Sequence, residues 1–151
     1  MNKKILTLCV VYTDTHILLG MKKHGFGEGR WNGFGGKVEE GETIEKAALR
    51  ELLEETGLDT AILRKRGILR LIGETKNPLE VHLFSADSFM GEPRETDEVT
   101  PQWFFHADIP YNFMWPDDKH WLPLVLGGKN IEGTFHFKDT AELFSYEVKE
   151  V

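Results

Sequence analysis

The sequence predicts an α+β fold, a mixed β-sheet carrying two helices. Three observations predict it. Short apolar and β-branched runs recur along the chain, only two segments carry helical patterning, and no internal repeat, low-complexity tract or linker separates them. At 151 residues and 40% hydrophobic composition, residues 1–151 are expected to form one domain with a substantial core.

Ile5 to Tyr12 reads as a strand, Thr13-Asp14-Thr15 as a turn and His16 to Lys22 as the returning strand of a hairpin. His24 to Lys37 differs: Gly25, Gly27, Gly29, Gly33, Gly35 and Gly36 stand among Phe26, Arg30, Trp31, Asn32 and Phe34. Such a segment is a loop system whose backbone can approach a ligand closely, or a set of turns plugged by aromatic rings. A helix then runs from the N-cap Thr43 to a stop at Gly57. Ala61 to Ile72 has strand character in its second half, and Glu80 to Phe89 and Gln102 to His106 are further strands. Trp115 to Leu126 reads as a helix that Pro123 should disturb. Gly133 to Phe137 and Leu143 to Val148 form a closing hairpin.

On a helical wheel, Glu51, Glu54 and Glu55 share one face, and Leu49, Leu52 and Leu53 fall opposite. The leucines are expected to be buried and the three carboxylates presented outward. An ordinary solvated acidic face is one reading. Against it, like charges three and four residues apart repel, and anions near a helix C-terminus oppose the macrodipole. A divalent cation would reverse both effects. Hard oxygen ligands suit Mg²⁺, with Mn²⁺ as a possible substitute, rather than Zn²⁺.

The net charge of −7 argues against a sequence-independent binder of nucleic acid polymers and leaves free nucleotides open. Cys9 is the only cysteine, so no internal disulfide can form, and its apolar surroundings predict a core thiol. The apolar N-terminal run is too short to span a membrane. These features predict a soluble, cytoplasmic protein, taken here as a monomer.

Gly36, Glu42, Arg50-Glu51-Leu52, Glu54-Glu55 and Gly57-Leu58 resemble, in identity and spacing, the Nudix box. The resemblance implies a Nudix fold, its mixed sheet sandwiched between helices. It also implies hydrolysis of a nucleoside diphosphate linked to another group, with divalent ions bridging glutamates and phosphates. Glu51, Glu54 and Glu55 would be the metal ligands, together with Gly36. Glu98 is a candidate fourth carboxylate, and equally a surface acid. Arg50 would pair with a neighbouring glutamate and hold its rotamer.

Gly20 to Lys23, Gly25 to Gly27, Gly29 to Lys37 and Met114 to Asp118 are similar to the eukaryotic MutT-homologue branch of the family. That branch hydrolyses 8-oxo-dGTP and 2-hydroxy-dATP to monophosphate and pyrophosphate, sanitising the nucleotide pool. By this resemblance, Asn32, Asp117 and Asp118 would hydrogen-bond the purine edge, Trp115 would stack on it and Phe26 would complete the pocket. Thr7, Lys22 and Gly35 match further substrate positions. Lys22, Lys23 and Lys37 flank the glycine segment and are candidates for phosphate contacts. Taken without the family, Trp115 to Asp118 reads as a helix N-terminus, and the two readings are compatible. The chain departs from the branch at Leu69 and Leu71, which replace phenylalanines in the substrate wall. Arg64-Lys65-Arg66 reads as a solvated cluster, and His82 and His106 as structural. Two alternatives stand beside the leading reading: a Nudix hydrolase of another nucleotide, and a non-catalytic nucleotide binder.

Overall fold

Burial along the first strand, β1 (Lys4–Tyr12), sets the layering: Cys9 and Val11 point into one core and Val10 into another. The second strand, β2 (His16–Lys22), repeats the division, with Leu18 on one side and Ile17 and Leu19 on the other. This two-sided apolar character requires a covering layer on each face. The computed structural model describes residues 3–60, 62–73, 77–86, 88–139 and 142–151. The further elements are β3 (Trp31–Asn32), α1 (Ile44–Thr56), β4 (Leu63–Ile72), β5 (Leu79–Ala86), β6 (Val99–Phe105), α2 (Asp118–Leu126), β7 (Ile131–Asp139) and β8 (Glu142–Glu150).

The strands form one sheet in the order β3-β2-β1-β5-β4-β7-β8, with β6 added along β2. β1 pairs parallel with β5 and β4 parallel with β7, whereas the other pairings are antiparallel, so the sheet is mixed. Leu52 of α1 packs with Cys9, Val11, Leu18 and Phe34 on one face. Trp121, Leu122 and Val125 of α2 pack with Val10, Ile17 and Leu19 on the other. The sheet is therefore sandwiched between helices, as expected.

β1 and β2 are bonded only beside their hairpin, at Val11–Leu18 and Tyr12–Ile17. Farther along, the glycine segment bonds to both strands. Asn32 and Trp31 pair with Gly20 and Met21, while Phe34 and Lys37 bridge to Cys9 and Leu6. This backbone-on-backbone approach explains the glycines. A Cβ on Gly33 would lie 2.8 Å from the Cys9 carbonyl oxygen, and one on Gly35 would collide with the carbonyl of Thr7.

Several boundaries differ from expectation. β3 is too short for any periodic signal. β6 begins three residues before the predicted strand, and Pro101 lies within it, which is tolerated because β6 is an edge strand paired only to β2. α2 begins at Asp118 rather than Trp115 and continues through Pro123. β5 ends at Ala86, short of Phe89. β4 starts at Leu63, ahead of the second half of the Ala61 to Ile72 segment where strand character is expected, and Ala61 itself lies outside the described residues.

Two packing expectations are corrected. Leu53 is exposed, because α1 meets β1 through Ala47, Ala48, Leu52 and Thr56 instead of a leucine stripe. Arg66 is buried, only 3% exposed, and not part of a solvated cluster. Its guanidinium donates to the side chains of Tyr12, Ser85 and Asn130 and to the carbonyls of Val125 and Lys129, so neutral acceptors meet a charge the sequence pattern assigned to solvent. Cys9 is a core thiol, and burial pushes its pKa up to about 12. No helix among the described residues is long and apolar enough to cross a membrane.

Candidate active site

α1 is fixed at both ends by its own sequence. The Thr43 hydroxyl accepts the Lys46 amide at 3.2 Å, and Gly57, at φ 76°, takes the left-handed turn that ends the helix. With Ala47, Ala48 and Leu52 against the sheet, the glutamates fall at the border of the buried face. Glu51 and Glu55 are half-buried and Glu54 is exposed, so the three carboxylates do not point outward together.

Arg50 organises this border. Its Nε and Nη2 donate to the two oxygens of Glu42 at 2.7 and 3.0 Å, and Nη2 also donates to the Lys37 carbonyl at 3.1 Å. Its Nη1 donates to Glu51 at 2.9 Å and to Glu54 at 3.3 Å. Glu42 also accepts the Glu39 amide, and these donors, Arg50 foremost, pull its pKa down to about 2. A two-pronged guanidinium clasp of this kind is beyond a lysine.

Glu55 faces the glycine segment, where its Oε1 accepts the Gly35 N–H at 2.8 Å. Burial pushes the Glu55 pKa up to about 8, the Glu51 charge pushes the same way, and the Gly35 amide opposes both. Burial also raises the pKa of Glu51, against the opposing pull of Arg50. The Glu98 charge acts on both glutamates, which places this loop acid in the electrostatic field of the cluster. A Cβ on Gly36 would stand 2.6 Å from a Glu51 oxygen, so glycine is needed there for closeness rather than for an unusual backbone angle. Among the described residues, no three acidic, histidine or cysteine side chains already converge on one point to hold a metal.

A cleft of about 910 Å³ runs from Glu55, Gly35 and Gly36 to Asp117 and Asp118. Thr7, Lys22, Phe26, Asn32, Leu69, Leu71 and Trp115 line it as well, so most of the predicted substrate residues share one cavity. Lys37 does not line it. Its side chain is exposed, and its carbonyl serves Arg50. Lys23 pairs with Glu95 at 2.5 Å, away from the cleft lining.

At the far end, Asp117 and Asp118 are 5% and 3% exposed. The Trp121 indole N–H donates to Asp117 at 3.0 Å, and the Trp115 amide donates to Asp118 at 3.1 Å. Burial raises both carboxyls, Asp118 well above the usual range, and the neighbouring Asp117 charge adds to the rise at Asp118. Burial of two adjacent acids favours a shared proton, and a pair holding one proton can both donate and accept. Phe26 stacks on Trp115 with ring centres 5.0 Å apart, and the Arg30 guanidinium lies 4.5 Å from the Trp115 ring centre.

Sequence reasoning missed the contact of Arg30 with Trp115 and the clasp of Glu42 by Arg50. Neither leaves a periodic signal, since each partner lies on a different element or loop.

A NUDIX domain model matches residues 3–125. The oxidized purine nucleoside triphosphate hydrolase of Mus musculus is 49% identical, over 99% of this chain and 97% of its own length. Its Danio rerio counterpart is 51% identical over the same shares. A crystal structure of a MutT protein from Bacillus halodurans superposes with a TM-score of 0.84 at 28% identity, covering 97% of both chains.

Proposed function

The chain belongs to the NUDIX domain family, and from that premise we propose that it hydrolyses oxidised purine nucleoside triphosphates, among them 8-oxo-dGTP and 2-hydroxy-dATP, to the monophosphate and pyrophosphate. The observation that carries this reading is the buried Asp117–Asp118 pair in the same cleft as Glu55. One proton arrangement of that pair donates to an oxo group, and another accepts from an amino group. Both kinds of altered purine edge can therefore be bound, while an aromatic plate beside the pair accepts the ring face at about 1–3 kcal/mol per stacked base.

Each end of the cleft has its own task in this reading. Trp115 stacks on the purine, Phe26 completes the pocket, Asn32 joins the aspartates at the purine edge, and Thr7, Leu69 and Leu71 wall the slot. Lys22 neutralises phosphate charge from the cleft rim, and Lys37 can do so only from outside it. Glu51, Glu54, Glu55 and the Gly36 carbonyl would hold divalent ions, with Glu98 as a further carboxylate. The donor set fits Mg²⁺, because every ligand is a hard oxygen and two half-buried carboxylates repel each other. Mn²⁺ shares that preference. Such ions, when bound, neutralise phosphate charge and lower the pKa of the water that attacks phosphorus. Arg50 holds Glu51, the Gly35 amide orients Glu55, and one carboxylate of the set takes the proton from that water. The net charge of −7 argues against a nucleic acid polymer as substrate and leaves free nucleotides open, and the lone buried cysteine fits the cytoplasm.

The test is a substrate panel with Mg²⁺ and product identification: 8-oxo-dGTP, 2-hydroxy-dATP, alkylated purine triphosphates, unmodified dNTPs and ADP-ribose. Preferential release of pyrophosphate from the oxidised purines is expected. Equal turnover of all triphosphates, or turnover of ADP-ribose alone, would overturn the assignment.

A further inference from the structure

We propose that Arg30 is a positioning residue that sets specificity in the base slot, by fixing the Trp115 ring and the charge around the aspartate pair. The inference rests on the oxidised-purine reading and assigns to Arg30 the discrimination between purine edges.

Arg30 is mounted on a tight, hydrogen-bonded turn. Gly25, Gly27 and Gly29 all have positive φ, a turn sequence that other residues rarely adopt. Within it, the Arg30 amide donates to the Gly27 carbonyl at 3.0 Å, and the Arg30 carbonyl accepts the Lys22 amide at 3.2 Å. A Cβ on Gly27 would lie 3.2 Å from the Trp115 ring, so this turn is packed directly against the indole.

From that base the side chain makes two contacts at once. Its Nη1 donates to the Met114 carbonyl at 2.8 Å, and its guanidinium carbon lies over the Trp115 ring. Only a planar, charged fork can stack and donate in this way. The next link is covalent and short. Trp115 gives its amide to Asp118, and the Asp118 amide returns to the Trp115 carbonyl at 3.1 Å. The Met114 carbonyl and the Trp115 N–H belong to one planar peptide unit, so Arg30 holds the unit that donates to Asp118.

Arg30 also acts through its charge. The groups facing Asp118 are Asp117, Tyr111, the Trp121 indole, the Trp115 amide and Arg30. Asp117 and burial favour the protonated acid, and the Arg30 cation opposes them. Without Arg30, the aspartate pair should hold its proton to higher pH.

The experiment compares wild type with Arg30→Met and Arg30→Lys. kcat and KM are measured for 8-oxo-dGTP, 2-hydroxy-dATP, dGTP and dCTP, and binding of the product 8-oxo-dGMP is followed by calorimetry from about pH 6 to about pH 10. Arg30→Met is expected to lower kcat/KM for the oxidised purines by about 10–100-fold, mainly through KM, with a smaller loss on dCTP. The alkaline limb of product binding should move to higher pH. Arg30→Lys should restore that limb but not the KM. Equal losses on all four nucleotides with an unmoved limb would reduce Arg30 to a structural residue and overturn the inference. If wild type shows no preference for oxidised purines, the substrate reading fails, and the pH limb of product binding still decides the role of Arg30. Should Arg30→Met not fold, Arg30→Lys and Arg30→Gln are read on the same measurements: a restored limb in the first and a displaced limb in the second support the inference, and an identical limb in both overturns it.

Discussion

Glu51 and Glu55 on α1 and Asp117 and Asp118 at the start of α2 are two acidic pairs raised by burial, yet they are held in different ways. The glutamates are half-buried, one clasped by Arg50 and one by the Gly35 amide. The aspartates are sealed, with a tryptophan N–H and a backbone amide as donors and Arg30 acting only through its field. Burial by itself does not set the use of an acid. An open side and cationic help favour ionisation of an acid, whereas burial against neutral donors favours its protonated form.

The largest expected effect breaks the pair on α1. Glu55→Gln should lower kcat by about 10³-fold or more, measured as pyrophosphate release. Glutamine can still accept the Gly35 amide, so the fold should persist. The raised pKa of about 8 means that the native state binds a proton the unfolded chain has already released above the ordinary glutamate range. The stabilisation from that proton is full at low pH and disappears as pH rises through about 8. In metal-free buffer, Glu55→Gln should therefore unfold at a higher temperature than wild type above that pH. An equal or lower Tm there would contradict the burial argument.

Breaking the other pair should alter choice and leave the chemistry in place. Asp118→Asn is expected to reduce kcat/KM for oxidised purines by about 10–100-fold and to leave dCTP turnover little changed. An unaltered substrate ranking would remove the aspartates from recognition.

A third measurement sharpens the contrast without mutation. Mg²⁺ should raise the Tm of wild type by a few degrees, and more at about pH 8.5 than at about pH 6, because only ionised glutamates bind it. A rise independent of pH, or one retained in full by Glu55→Gln, would point to a metal site elsewhere. The smallest effect lies in the core beneath α1. Cys9→Ala should lower stability by about 1 kcal/mol through lost packing and leave kcat unchanged, since its thiol is buried and un-ionised. A kcat loss would give the thiol a role beyond packing.

Much of this was legible in the chain. The hairpin of β1 and β2, the capped helix α1 and the closing hairpin of β7 and β8 all announce themselves by local periodicity and turn residues. β3 and the length of β6 did not, because their pairing depends on β2 being in place. The candidate site divides similarly. The spacing of Gly36, Glu42, Arg50, Glu51, Glu54 and Glu55 marks the acidic helix, and the cleft gathers the predicted base-slot residues around Trp115. The wheel misjudged Leu53 and the outward presentation of the three glutamates, because it cannot know which arc of a helix meets a sheet. It also offered no hint that Arg66 is buried among carbonyls and hydroxyls.

By itself, the sequence determined the layered α+β architecture, the ends of α1 and the identity of the acids, since caps, glycines and residue spacing act over a few bonds. Only the tertiary structure decided which acids are buried, which cation faces which carboxylate and where the indole of Trp115 is pinned. Those outcomes come from segments far apart in the chain meeting across the cleft, where desolvation and hydrogen bonding set the charge of each group.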